Sequence, residues 1–241
     1  MRKILLTAVM LVIAATSAQA DMDLLWDNYL YPGDGYDHVT ALSSERNTFV
    51  TNSWTGDDAV FEESVFIQQI KWIGMLIDHP DADYWSADVV IYPANPDPTG
   101  YPIDPVNYPA VAEWNELAYS RTDIAEEFGL QVYEGSIDLP EDVLLAPGHY
   151  YYAVRLVGNN RGQNYIASTS TAGGETAGMT MGVFQSTFFH YPPHTGNWVY
   201  VDQATEPVLT SDFAYQLYGY IPEPASFILL AMGAMMIRTR R

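Results

Sequence analysis

The chain has no cysteine and little positive charge: its 241 residues include 10 Lys or Arg against 30 Asp or Glu. Without thiols there is no disulfide framework, no thiolate zinc site and no cysteine nucleophile. Away from the terminal arginines there is no Lys/Arg cluster, hence no footprint for a phosphate backbone, and nucleic acid is not expected as a partner. Long apolar runs are also missing, and neither Ile4–Ala15 nor Phe227–Ile237 reaches the ~20 residues a spanning helix needs. No G-x-S-x-G elbow, H-E-x-x-H helix or Lys-bearing phosphate loop occurs. The five histidines are scattered. His190 and His194 flank Pro192-Pro193, so they read as loop histidines rather than as metal ligands on one helix face.

What is present is most distinctive at the two ends. Arg2 and Lys3 precede the apolar run Ile4–Ala15, and Ala18-Gln19-Ala20 supplies a small-x-small site. This is the arrangement of a secretory signal peptide, with cleavage expected before Asp21. At the other end Pro222-Glu223-Pro224 breaks any helix, Phe227–Ile237 is apolar, and Arg238, Arg240 and Arg241 follow. As a helix that apolar run covers only ~16 Å, about half of a ~30 Å hydrocarbon core. The terminal arginines suit a temporary stop held at the cytoplasmic face.

Three regions follow: a signal peptide (1–20), one domain (21–220) and a tail (221–241). The middle region keeps 5 basic and 29 acidic residues, a net charge of −24. Such a surface repels anionic lipid as well as nucleic acid. Its six prolines between Pro93 and Pro109 exclude a regular helix or central strand and predict a long surface loop. Around that loop the β-formers come in short runs between turn signals. Val65–Leu76, Ala87–Tyr92, Leu130–Leu139, Tyr150–Val157, Tyr165–Thr171, Gly182–Phe189, Trp198–Val201 and Phe213–Tyr220 are expected as strands. Only Val111–Thr122 carries a helical hint, through Val111, Trp114, Leu117 and Ala118, and a strand at Leu117–Arg121 competes with it. The expected fold is an all-β antiparallel sandwich, jelly-roll-like, flanked by a signal-peptide helix and a short C-terminal apolar helix.

The tail resembles the PEP-CTERM sorting signal of Gram-negative bacteria, which Pro222, Glu223 and Pro224 match residue by residue. The resemblance covers about the last twenty residues. It implies processing by an exosortase, with signal peptidase at the other end, export across the inner membrane, transient association with that membrane, and delivery to the cell surface or an exopolysaccharide matrix. Phe213–Gly219, running directly into the motif, is similar to the last strand of PEP-CTERM proteins with a jelly-roll-like domain. Asp57-Asp58-Ala59-Val60-Phe61 followed by Ile70-Lys71-Trp72-Ile73-Gly74 fits the same group, as does the turn and strand Leu145–Tyr151. The Glu62-Glu63 pair and the Pro-rich loop depart from it. This second resemblance implies a fold rather than an activity.

Candidate chemistry is sparse. Glycoside hydrolysis needs two carboxylates ~5–9.5 Å apart, but in so acidic a chain any pair is uninformative. Glu134, Asp138 and Glu141 lie near one strand, and Glu113 and Glu116 would share a helix face. An enzyme is not expected. Calcium is the one cofactor considered, with Asp78, Asp81 and Asp83 as ligand candidates near Asp88, and Asp57-Asp58 ahead of a strand. Solvated turn residues are the competing explanation. Six tryptophans invite a sugar-stacking reading: Trp54, Trp85, Trp114 and Trp198 fall at strand ends or loops, with Trp85 and Trp198 the glycan-contact candidates, whereas Trp72 is expected in the core. The leading expectation is a non-catalytic surface or matrix protein. A carbohydrate-binding module, with or without calcium, is second, and a glycan-active enzyme a distant third.

Overall fold

Alternation along β-branched and aromatic runs builds the domain, and the last strand displays it most cleanly: Tyr215, Leu217 and Gly219 face inward, while Gln216, Tyr218 and Tyr220 face outward. The computed structural model describes residues 22–28, 41–47, 51–77, 83–96, 103, 106–127, 130–159, 163–167, 179–184, 199–200 and 213–222. Among them are fourteen strands and no helix: β1 (Asp23–Asp27), β2 (Ala41–Ser43), β3 (Glu45–Asn47), β4 (Thr51–Phe61), β5 (Val65–Ile77), β6 (Tyr84–Pro93), β7 (Ala112–Leu117), β8 (Ser120–Glu127), β9 (Leu130–Leu145), β10 (Gly148–Gly158), β11 (Gln163–Ala167), β12 (Met179–Phe184), β13 (Val199–Tyr200) and β14 (Tyr215–Tyr220). The expected flanking helices lie outside the described residues.

Two sheets form, making the β-sandwich that the turn spacing predicts. In the first, β5 is central, with β9 then β8 along one side and β14 then β1, or β11 then β2, along the other. The second runs β13-β12-β4-β3-β10-β6-β7, with β4 also meeting β10 directly. The pairings are nested: β4 lies antiparallel to β10, and β5 lies antiparallel to β9. The chain is therefore doubled back and rolled across both sheets, as in a jelly roll. Among the described residues one parallel contact, β3 with the end of β10, interrupts the antiparallel pattern.

The helical hint at Val111–Thr122 is overturned. That stretch is β7 and β8, and Leu117 pairs with Ala87 of β6. An isolated helix of about three turns is marginal in water, whereas pairing of β7 on the edge of β6 gives this stretch ladder partners. Pro140, inside β9, falls in an irregularity of the β5 ladder, where Ile67 faces Val143 and Gln69 faces Asp138. The missing N–H is tolerated there because the ladder is already broken.

Ile70, Trp72, Val89, Ile91, Tyr133, Tyr152, Val154, Tyr215 and Leu217 fill the space between the sheets. Two glycines make room for the largest rings. Trp72 is paired with Gly135, and Gly74 with Tyr133, on alternate rungs of β5 and β9 and hence on one face. A Cβ at either glycine would overlap the ring opposite.

One polar thread crosses this core. At Ser44 the chain passes from β2 in the first sheet to β3 in the second. The Ser44 hydroxyl donates to the Val154 carbonyl at 2.6 Å and accepts the Thr55 N–H at 3.0 Å. Glu45 accepts from the Tyr84 hydroxyl at 2.7 Å and the Asn164 N–H at 3.0 Å. Asn164 donates to the Ser44 carbonyl and accepts from the Tyr133 hydroxyl. The fully buried Glu45 carboxylate is tolerated because it accepts from the Tyr84 and Asn164 donors, both at Oε2.

Burial pushes the phenols of Tyr84, Tyr133 and Tyr215 well above their ordinary range, and the Glu45 carboxylate adds to the effect at Tyr84. The folded state therefore holds these protons where the unfolded chain releases them. Stability is fully present below pH ~10 and falls as pH rises beyond it, by up to about 1.4 kcal/mol per pH unit for each tyrosine. Urea midpoints measured from pH 7 to 11.5 are expected to fall steeply above pH ~10, and Tyr133→Phe to flatten that fall.

Candidate functional site

The outer face of the second sheet carries the densest set of functional side chains. Ala87, Val89 and Ile91 of β6 face the sandwich interior, so Ser86, Asp88 and Val90 face outward. On β10, Tyr152, Val154 and Leu156 face inward, which turns His149, Tyr151, Ala153 and Arg155 outward.

Register places Arg155 directly opposite Asp88. Arg155 Nε donates to Asp88 Oδ2 at 2.8 Å, and Arg46 donates to the same carboxylate at 2.9 and 3.1 Å. The Glu116 N–H donates to Asp88 Oδ1 at 2.9 Å. Glu116 has a φ of 59°, at the irregularity where β7 offers extra residues to Asp88. The carboxylate thus pins a left-handed non-glycine residue at an edge bulge. Arg155 also lies 4.0 Å from the centre of the Trp54 ring. Burial lowers its pKa, and Asp88 opposes that shift. A cross-strand row results, Trp54–Arg155–Asp88–Glu116, spanning β4, β10, β6 and β7.

Above this row lies a small second core. Ile103, from the Pro-rich segment, packs with Trp54, Val90, Tyr151 and Ala153. Val106–Tyr108 of that segment are exposed, as a surface loop requires, but Ile103 is only 2% exposed. The loop is therefore anchored to the sheet rather than merely lying over solvent. Beyond Tyr151, His149 Nε2 meets Asp58 Oδ2 at 2.5 Å. Asp58 is fully buried and its second oxygen has no hydrogen-bond partner among the described residues. This pair fixes the imidazole, whose side chain keeps 28% exposure.

The sequence-derived candidates scatter. Trp85 is the extra residue of a bulge, since Val157 pairs with Ser86 and Gly158 with Tyr84. The bulge turns it away from the interior shared by Tyr84 and Ala87, and leaves it 53% exposed. Trp54 and Trp114, expected at strand ends or loops, lie within β4 and β7, packed against the outer and inner cores. Trp72 is in the core, as expected.

Asp57 and Asp58 do not precede a strand; they sit inside β4. Successive strand residues face opposite ways, so the two do not form one chelating pair. Asp57 lies inside the sandwich, accepting from Asn28 Nδ2 at 2.8 Å and the Phe213 N–H at 3.1 Å. Asp88 is held by two arginines rather than joining Asp83, which is exposed. Among the described residues no group of three or more His, Asp or Glu side chains is placed to hold a metal ion. Glu113 and Glu116 stand on a strand rather than a helix face, and Glu134, Asp138 and Glu141 lie along β9. Pro222 lies two residues beyond the end of β14 and is half-buried. Ala18, Ala20, Asp78, Asp81, His190, His194, Trp198, Glu223 and Pro224 lie outside the described residues.

Sequence reasoning missed the Arg46–Asp88–Arg155 cluster. Its trace was visible: Asp88 and Arg155 are the lone charges in the apolar runs ADVVIY and YYYAVRLV. Lone opposite charges in two buried strands are candidates for direct cross-strand pairing. No family model matches this chain, and no curated protein matches it.

Proposed function

We propose that residues 21–220 form a non-catalytic extracellular domain, exported through the N-terminal signal and sorted by an exosortase through the Pro222-Glu223-Pro224 tail to the cell surface or an exopolysaccharide matrix. One observation carries the non-catalytic part. Of the four buried carboxylates among the described residues, Glu45, Asp57 and Asp88 hold strands together through hydrogen bonds from Asn164, Phe213 and Glu116 backbone N–H groups respectively, and Asp58 pairs with His149 across β4 and β10. Carboxylates so engaged serve architecture, and the charge of the surface supplies solubility and mutual repulsion.

A second reading has its own support. Trp85, lifted out by a bulge, offers an indole face of the kind that stacks on sugars. The full chain is therefore to be titrated against a panel of polysaccharides, with calcium and then with EDTA. The structural reading expects no saturable binding. Saturable binding abolished by Trp85→Ala would transfer the domain to carbohydrate recognition, and loss of binding in EDTA would bring calcium with it.

A further inference from the structure

The two ends of the domain leave it side by side. β1 pairs antiparallel with β14, so Asp23 lies beside Gly219 and Leu24 beside Tyr218. The apolar run Ile4–Ala15 ends seven residues before Met22, and the run Phe227–Ile237 starts seven residues after Tyr220. Seven extended residues reach at most ~25 Å. Whenever either run occupies a bilayer, this end of the sandwich is held close to it.

The same end bears an apolar surface. On the outer face of the first sheet, Leu144 of β9, Phe66 of β5 and Tyr220 of β14 share one rung. Phe66 and Tyr220 stack with centroids 4.9 Å apart. Met22, Leu24, Leu144 and Ile221 are each between 45% and 47% exposed. Across β9, β5, β14 and β1 the patch spans roughly 14 Å. Isolated exposed apolar residues need no explanation, but a contiguous set at the membrane-proximal end does.

We propose that this patch, Met22, Leu24, Phe66, Leu144, Tyr220 and Ile221, rests on the interface of a zwitterionic bilayer while the tail is inserted. Tyr and Phe suit the headgroup boundary, and tethering through the tail supplies the effective concentration that lets a small patch act. Charge selects the lipid: Glu62, Glu63 and Asp142 border the patch and are exposed, so anionic headgroups are repelled. The inference rests on the tail being a membrane segment.

The absence of cysteine permits single-site labelling of the full chain. Glu63→Cys reports the patch end, and Glu126→Cys reports the far end of β5, roughly 40 Å away. Each labelled chain is reconstituted in phosphatidylcholine vesicles carrying a headgroup quencher. Strong quenching at position 63 and little at 126 is expected, and Leu24→Glu with Leu144→Glu should lower quenching at position 63 to the weaker level that the tether alone leaves, while the protein still sediments with vesicles. Quenching at position 63 that the double variant leaves unchanged in sedimenting protein would overturn the docking while leaving the tail reading intact. Failure to sediment would remove both. Tighter docking on anionic vesicles would refute the charge argument. A dimer in the absence of lipid, dissolved by Leu144→Glu, would assign the patch to a second copy instead.

Discussion

Asp88→Ala is expected to destabilise the domain by about 3–5 kcal/mol, because it removes one partner from a buried charge cluster and leaves the others uncompensated. Asp88 is fully buried and answers Arg46, Arg155 and the Glu116 N–H at once. Without it, Arg155 stays enclosed against Trp54 and loses the carboxylate directly across from it, and the left-handed turn at Glu116 loses its anchor. Glu116→Ala removes only an exposed pair with Arg46, side chain 59% accessible, and is expected to cost well under ~1 kcal/mol. Urea unfolding separates the two: Asp88→Ala should lower the midpoint strongly with m unchanged. Equal small losses in both variants would mean that the cluster is decoration on a sheet held by its ladders.

Gly135→Val should fall at or above the upper end of the ~1–3 kcal/mol range for overpacked cores. The Trp72 indole lies across Gly135, with Tyr119 tilted against it at 6.0 Å and the Tyr133 hydroxyl accepting from its Nε1 at 3.4 Å. The ring therefore cannot swing aside without disturbing two neighbours. Because Gly74 lies under Tyr133 in the reciprocal arrangement, the pair of glycines and the pair of rings act as one interlocked unit. Coupling is the measurable consequence: Trp72→Leu, costly alone, should recover most of the loss caused by Gly135→Val when the two are combined. Additive losses would show that backbone preference, not the ring, sets the requirement for glycine.

These two sites also mark where sequence reasoning reaches and where it stops. The strands Val65–Leu76, Ala87–Tyr92 and Tyr150–Val157 were legible because β-branched and aromatic residues are dense there and turns bound them. β4, with its sequence TNSWTGDDAVF, was not among the strands expected from pattern, because Thr, Asn, Gly and Asp weaken the apolar signal. Its polar groups draw on partners distant in sequence: Asn28 and Phe213 at Asp57, Ser44 at Thr55, His149 at Asp58. β7 was ambiguous in sequence, because Val111, Trp114, Leu117 and Ala118 form a helical stripe while a strand at Leu117–Arg121 competes with it. The chain resolves that ambiguity through β6, whose edge needs a partner. Trp85 was recognisable as an exposed candidate, yet the bulge that exposes it has no signature in the sequence. The Asp88 cluster demanded knowledge of register, which pattern alone does not supply.

The pairing of β1 with β14 sets the order in which the domain is completed. The Gln216 amide reaches Asp27 across a separation of 189 residues. Such a contact closes almost the whole domain as one loop and belongs among the last to form. A chain that emerges from its N-terminus first, during synthesis, presents β1 at the outset and β14 at the close. Leu25 and Trp26 of β1, which pack on the main core, must then wait with their apolar faces uncovered until the final strand arrives. The waiting strand is short and carries Asp23 and Asp27 at its ends, which limits pairing with other chains in the interval. Folding of this domain is thus timed by its own last strand, and truncation before Tyr215 is expected to leave an open, aggregation-prone sheet edge rather than a slightly smaller sandwich.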